Sequence, residues 1–128
     1  MTQRTTLERT HLRLADEPLS LPRSCWYPIA TSRAVGRRPV TVRRIDRAIV
    51  LWRDHEHRLH AHDARCPHRG ADLGLGRVVE GQLECPYHGF RFTPSGRCST
   101  VPCEPDPAAL RRDLALPRHE VREHRGLV

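Results

Sequence analysis

Two five-residue segments, each with a cysteine, a proline, a histidine and a glycine, constrain this chain more than any other feature. They read Cys66-Pro67-His68-Arg69-Gly70 and Cys85-Pro86-Tyr87-His88-Gly89, and sixteen residues separate His68 from Cys85. Proline and glycine favour tight loops whose backbone can approach a bound group and point amides at its sulfurs. Thiolates and imidazoles are ligands for zinc and for iron–sulfur clusters. The pattern therefore predicts a metal centre held by Cys66, His68, Cys85 and His88.

The order of the ligands separates these two kinds of metal centre. A zinc finger of the Cys2His2 type has both cysteines before both histidines, and its histidines lie on a helix. Here the order is Cys, His, Cys, His, and both pairs are predicted to lie on hairpin tips. This order disfavours a structural zinc module, which remains the alternative for the site.

The charge of the chain is strongly positive. Its 128 residues carry a formal net charge of +7, and all 22 basic residues are arginine. The arginines are scattered, and with only two Trp, two Tyr and two Phe the aromatic interleaving of a single-strand nucleic-acid binder is missing. We therefore expect no nucleic-acid partner. A basic surface can instead steer an acidic redox partner, or simply be solvated.

The length fits one domain. Residues 1–24 are polar and are expected to form a partly flexible leader, and the domain is expected to span residues 25–128. No apolar export signal is visible, and the longest apolar run, residues 48–52, is too short to cross a bilayer. Five cysteines, an odd number, argue against a disulfide scaffold. These features predict a cytoplasmic protein with no membrane partner.

The remaining pattern indicates β structure. The 11 prolines and 8 glycines favour a loop-rich or β-rich fold, and long amphipathic stretches are missing. Residues 49–52 suit a buried strand, 54–57 a hairpin turn and 59–62 the returning strand. Further turns are predicted at 80–81 and 93–96, and an extended segment at 118–127. We expect an all-β fold of antiparallel strands, with the cluster-binding loops near residues 63–103.

The two cysteine–histidine loops, with their spacing, resemble the signature of the Rieske proteins, and the resemblance extends over residues 25–128. It implies an ISP-like fold, in which an antiparallel β-sandwich base carries a cluster-binding subdomain of two hairpin loops. It also implies one [2Fe–2S] cluster per chain, with Cys66 and Cys85 on one iron and His68 and His88 on the other.

The loops are more similar to the oxygenase branch of this family than to its respiratory branch. Respiratory members carry an extra disulfide between the loops and a serine near the cluster; here those places hold Ala71, Tyr87 and Phe90. The stretches at 26–30, 49–54 and 121–128 are also similar to the N-terminal domain of Rieske non-heme iron oxygenases. A lower reduction potential than that of the respiratory proteins is therefore expected.

This resemblance implies an electron-transfer domain of a ring-hydroxylating-type oxygenase. It would relay single electrons from a reductase or ferredoxin to a mononuclear iron in an oxygenase catalytic domain outside this chain. The 128 residues would thus be an oxidoreductase component without a complete catalytic site, and a homo-oligomer is possible. The alternative is a free-standing Rieske-type ferredoxin that only carries electrons.

Other metal-binding residue types have structural interpretations. Asp54, His57 and His62 have the spacing of part of a mononuclear iron site, but on a hairpin their side chains should diverge. The four histidines of this stretch are expected at outward or edge positions: His55, His57, His60 and His62. Three further cysteines are expected to be ordinary thiols: Cys25, Cys98 and Cys103. Asp72 and Glu84 are candidates for supporting the ligand loops or for docking.

Overall fold

Two four-stranded antiparallel sheets make up the fold. The computed structural model describes residues 22, 24–44, 46–102, 105, 108 and 113–128. Its strands are β1 (Val40–Arg44), β2 (Arg47–Arg53), β3 (Leu59–Asp63), β4 (Arg77–Val79), β5 (Gln82–Glu84), β6 (Arg91–Phe92), β7 (Cys98–Thr100) and β8 (Arg118–His119). Short 3-10 helices lie at Ser32–Ala34 and Leu73–Leu75. The predicted all-β fold is confirmed.

The first sheet has the order β1-β2-β3-β8, and the second has the order β4-β5-β6-β7. In the first sheet Val50 of β2 faces Thr41 of β1 and His62 of β3 across the ladder. The predicted turn at 54–57 closes β2 onto β3, where the Asp54 N–H donates to the Arg58 carbonyl at 3.1 Å. All four strands of the second sheet lie between residues 77 and 100, inside the stretch predicted to bind the cluster.

Strand β2 is buried on both faces, which explains its unbroken apolar sequence. Val50, Leu51 and Trp52 have no exposed surface. Because side chains alternate along a strand, Val50 and Trp52 face one core and Leu51 faces the other. The larger core lies against the second sheet and contains Leu73, Leu83, Phe90 and Phe92. The smaller core packs Leu51 against Val35, Ala61 and Val128.

The tight turns follow their local sequence. Glu80 and Gly81 join β4 to β5 with φ angles of 51° and 73°. Two consecutive left-handed residues give a turn whose twist matches that of the flanking strands, and glycine adopts this conformation without steric cost. Gly96 also has a positive φ, 88°, in the turn that joins β6 to β7. Both predicted turns are confirmed.

The prediction of an extended segment over 118–127 is mostly wrong. Only Arg118 and His119 form a strand, β8. Further on, His124 and Leu127 exchange backbone hydrogen bonds of 2.9 Å around a turn at Arg125 and Gly126, whose φ angles are 48° and 80°. The sequence signal for this turn is Gly126.

The predicted leader, residues 1–24, falls almost entirely outside the described residues. Among the residues that the structure describes, no helix has the length and apolar character needed to cross a membrane.

Candidate functional site

Both cysteine–histidine segments form loops with the same backbone frame. In the first, the Cys66 N–H donates to the Ala71 carbonyl at 2.9 Å, and the Gly70 N–H donates to the Cys66 carbonyl at 2.8 Å. The second loop repeats these bonds: the Cys85 N–H donates to the Phe90 carbonyl at 2.8 Å, and the Gly89 N–H donates to the Cys85 carbonyl at 3.2 Å. The loops therefore present a cysteine at equivalent places, with the histidine two residues later in one and three residues later in the other.

Each loop closes a hairpin. The first is flanked by a bridge between Arg65 and Asp72, and the second joins β5 to β6 through the pair Glu84 and Arg91. The closing glycines, Gly70 and Gly89, have φ angles of 72° and 70°. This left-handed conformation is disfavoured for side chains with a Cβ, so the glycine of each motif has a structural cause.

The two cysteines lie together beneath the loops. Cys66 and Cys85 are each 3% exposed, and their thiols are hydrogen-bonded to each other. Burial raises the pKa of the Cys66 thiol to about 11, although the backbone N–H groups of His68 and Arg69 point at its sulfur and oppose the rise. Amides directed at a buried sulfur stabilise a thiolate once a cation compensates for the burial.

The two histidines also lie together, nearer the surface. The ring centroids of His68 and His88 are 4.8 Å apart, and both residues are half-buried. Phe90, which is fully buried, stacks on His68 at 4.4 Å with an interplanar angle of 18°. Tyr87 lies against His88 at 3.9 Å and is 64% exposed. Each imidazole plane is thus supported by an aromatic ring.

The donor set fits a two-iron cluster. A Rieske cluster takes two thiolates on one iron and two imidazoles on the other, and here a buried thiol pair lies beside a half-buried imidazole pair. No three His, Cys, Asp or Glu side chains among the described residues are grouped so that they could hold a metal ion, and this includes the four predicted ligands. Their arrangement in two pairs matches a cluster in which each iron takes two protein ligands.

Two carboxylates brace the backbone frame of the site. Glu84 accepts hydrogen bonds of 2.7 Å from Arg77 and from Arg91. Burial would raise the pKa of Glu84, but these two guanidinium groups hold it below its ordinary value. Asp72 accepts from the Gly74 N–H at 2.9 Å and from the Thr41 hydroxyl, which ties the first loop to β1. Both carboxylates that the sequence singled out therefore have structural roles.

The alternative iron site, Asp54 with His57 and His62, is not assembled. Asp54 is hydrogen-bonded to His60 at 2.9 Å, whereas His62 accepts from the Trp52 indole N–H at 3.1 Å. His57 is exposed in the turn. The expectation that His60 and His62 lie at outward or edge positions is wrong, because β3 pairs them with Trp52 and Val50 on the face covered by the second sheet. Of the four histidines between residues 55 and 62, only His55 and His57 are exposed.

Two additional cysteines lie in the described part of the chain, Cys25 and Cys98. Cys98 is buried in β7 and its thiol lies 3.7 Å from the Thr100 carbonyl, and Cys25 is exposed. Cys103 lies outside the described residues. Phe90 and Tyr87 are site residues for which the sequence predicted no role; the only signal for each was an aromatic residue in or directly after the second loop.

Comparison with known proteins gives consistent matches. Residues 25–119 match the family model described as the Rieske [2Fe–2S] domain. The chain is 42% identical over 107 residues to the phenoxybenzoate dioxygenase subunit alpha of Ectopseudomonas oleovorans, covering 83% of this chain and 26% of that protein. It is 36% identical over 104 residues to the chloroplastic protein TIC 55 of Arabidopsis thaliana, covering 80% of this chain and 19% of that protein.

Solved structures show the same fold. Apo dicamba monooxygenase superposes with a TM-score of 0.73 and 32% identity, covering 82% of this chain and 32% of that one. NdmA of Pseudomonas putida CBB5, solved with caffeine, gives a TM-score of 0.70 and 29% identity, covering 80% of this chain and 31% of that one. The chain therefore spans only about a fifth to a third of the length of these four proteins.

Proposed function

Because this chain belongs to the Rieske [2Fe–2S] domain family, we propose that its one cluster is held by Cys66, His68, Cys85 and His88 and serves single-electron transfer in an oxygenase system. The observation that carries the ligand assignment is the shared backbone frame of the two loops, which brings a thiol pair and an imidazole pair together. Residues 25–128 are proposed as the domain and residues 1–24 as its leader.

When bound, such a cluster supplies reversible one-electron transfer at a potential raised by its two neutral imidazoles. The protein's own contribution is positional. Cys66 and Cys85 lie in the larger core, which keeps their side of the site away from water. His68 and His88 are half-buried, so their outer edges lie near the surface, where a partner can approach.

The aromatic neighbours hold the imidazoles in place. Phe90 packs face to face on His68, and the exposed ring of Tyr87 lies against His88. Holding both rings in fixed planes limits reorganisation when the charge at the site changes, which favours repeated electron transfer. Phe90 and Tyr87 are thus positioning residues for the two imidazoles.

The ligand assignment can be tested on the chain reconstituted with iron and sulfide. We expect about two irons and two acid-labile sulfides per chain, and an EPR signal of a Cys/His-ligated cluster after reduction. Cys85→Ala and His68→Ala should lose both. The matched controls are Cys98→Ala and His55→Ala, which should retain them because neither residue is proposed as a ligand. Stoichiometric zinc without acid-labile sulfide would contradict the proposal.

We further propose the electron's route. A reductase or ferredoxin would reduce the site, and an oxygenase catalytic domain with mononuclear iron would oxidise it. The support is similarity to proteins named as a dioxygenase subunit alpha and as the oxygenase component of chloroacetanilide N-alkylformylase. Reduction of the loaded chain by a ferredoxin, and its reoxidation by a catalytic domain with bound iron, would be followed in the visible spectrum. Failure of the second step alone would favour a free-standing Rieske ferredoxin.

A further inference from the structure

Five exposed arginines lie at one end of the first sheet, beside the β1–β2 turn and in or next to the first ligand loop: Arg43, Arg44, Arg47, Arg65 and Arg69. Among the described residues, ion pairs with carboxylates are made by Arg53, Arg58, Arg77 and Arg91. Within the part of the chain that the structure describes, none of the five pairs with a carboxylate; Arg44 and Arg65 instead donate to the backbone carbonyls of Arg43 and Gly70. We call these five residues the basic strip.

The basic strip is continuous from the β1–β2 turn to the first loop. Arg44 and Arg47 are directly paired where β1 meets β2. A shallow cleft of about 270 Å3 is lined by Arg47 and Arg65, among others, and the Ala64 N–H donates to the Ala48 carbonyl at 2.9 Å. Arg65 then extends over the first loop, where its guanidinium donates to the Gly70 carbonyl at 3.2 Å.

Three carboxylates on this side, those of Asp46, Asp63 and Asp72, offset the charge of the five guanidinium groups only in part. Asp46 is exposed in the β1–β2 turn. Asp63 lines the cleft and is hydrogen-bonded to His119 at 2.6 Å. Asp72 turns its carboxylate towards Gly74 and Thr41. Unpaired guanidinium groups on one side of a small protein produce a local positive potential that attracts an acidic surface.

Resting on the proposed function, we propose that the basic strip is the docking surface for an acidic electron-donor protein. The strip ends at Arg69, which directly follows His68, so a donor that docks there faces the edge of the imidazole pair. Tyr87, 64% exposed on the second loop, offers an aromatic contact beside it. Charge would speed the encounter, while the aromatic contact would define the docked position.

An acidic protein is favoured over a nucleic acid because aromatic side chains do not interleave with the arginines of the strip. A protein docked on the strip would also lie close to the imidazoles, which shortens the path for an electron. Guanidinium groups form bidentate hydrogen bonds with carboxylates, the groups that an acidic donor presents. Nucleic-acid binding is tested as the alternative, with an RNA oligonucleotide as the probe.

The test compares two variants of equal charge. Arg44→Glu/Arg47→Glu reverses two charges of the strip. Arg37→Glu/Arg38→Glu reverses two exposed arginines that pair with no described carboxylate and lie near the other end of β2, roughly 20 Å away. Each cluster-loaded protein is mixed with a reduced, acidic [2Fe–2S] ferredoxin, and the second-order rate of reduction is measured against ionic strength. Dithionite reduction and circular dichroism check that the cluster and the fold are intact.

At low ionic strength we expect the strip variant to be reduced at least about ten-fold more slowly than wild type, and the control less than about three-fold. High salt should remove the difference. Arg44→Gln/Arg47→Gln should give an intermediate rate, which keeps the test valid should charge reversal prevent folding.

Equal slowing in both double variants, or none in either, would overturn the docking surface. So would strip-dependent binding of an RNA oligonucleotide together with an unchanged ferredoxin rate. A wild type that dithionite reduces but ferredoxin does not would also overturn it, without affecting the cluster assignment. A wild type with no cluster signal would instead contradict the proposed function.

Discussion

Asp54 shows how much a single buried carboxylate can organise. Its side chain is 1% exposed. One carboxylate oxygen accepts hydrogen bonds from the backbone N–H groups of Glu56 and Arg58. The other accepts from the Arg58 guanidinium and is hydrogen-bonded to the His60 ring. Burial alone would raise the pKa of Asp54, but the hydrogen bonds from His60 and Arg58 hold it well below its ordinary value.

We expect Asp54→Asn to lower the free energy of unfolding by about 1–3 kcal/mol. The amide nitrogen would face donors that now meet a carboxylate oxygen, so one pair of hydrogen bonds is lost. Urea unfolding followed by circular dichroism at pH 7 would measure the change. Asp46→Asn is the matched control: this residue is exposed, and its φ of 57° suits asparagine, so its effect should stay within about 0.5 kcal/mol. Equal effects would contradict the role of Asp54.

The paired loops act as one structural element because each depends on the same backbone conformation at its glycine. A Cβ at Gly70 would meet only the Arg65 guanidinium, at 4.0 Å, so space does not exclude a side chain there. The φ angle of 72° disfavours a β-branched side chain, because such residues adopt this region of backbone conformation only at a cost in energy. Strain at Gly70 would shift the cysteine and histidine that precede it.

Gly70→Val should therefore shorten the half-time of cluster loss in air by roughly ten-fold, the equivalent of about 1.4 kcal/mol. Gly70→Asn should shorten this half-time much less, since asparagine tolerates the left-handed region. Decay of the visible absorbance gives both values. Gly36→Val is the control, because Gly36 has open space around its Cβ position and no positive φ. If Gly70→Asn decays as fast as Gly70→Val, backbone strain is not the cause.

Strands and turns with strong local signals were predictable from the sequence. The β2–β3 hairpin, the Glu80–Gly81 turn and the two ligand loops follow from apolar runs and glycine positions. The burial of His60 and His62 could not be predicted from the sequence, because alternation defines the two faces of a strand without saying which face is covered. A core that accepts histidines depends on long-range partners, here Trp52 and Asp54, that sequence spacing does not reveal.

The stability of the whole molecule depends on packing two sheets over a polar network. Trp52 lies between His60 and His62, with ring centroids 4.7 and 6.0 Å away. The Trp52 indole donates to Nδ1 of His62, so the neutral ring carries its proton on Nε2. That nitrogen is buried and makes no hydrogen bond of good geometry, although the Pro94 carbonyl near it slightly favours protonation.

This network makes the molecule less stable in mild acid. Burial lowers the pKa of His62 from 6.5 to about 4, and the neighbouring His60, Arg118 and His119 add to this effect. Above pH 6.5 His62 is neutral in both folded and unfolded states, so its contribution is fully present. Between pH 6.5 and about 4 only the unfolded state binds the proton, and folding loses about 3 kcal/mol.

His62→Gln should flatten this dependence, because the glutamine carbonyl can accept from Trp52 but does not titrate. The unfolding midpoint in urea, measured from pH 7.5 to 4.5, should fall more steeply for wild type than for the variant. His55→Gln, at a side chain that is 67% exposed, should keep the wild-type slope. A His62→Gln slope equal to that of wild type would mean that the acid sensitivity arises elsewhere, in the carboxylates or the loops. The distinction matters because Trp52 and Phe90 share one core, so a charge on His62 would loosen the packing that supports the His68 ring.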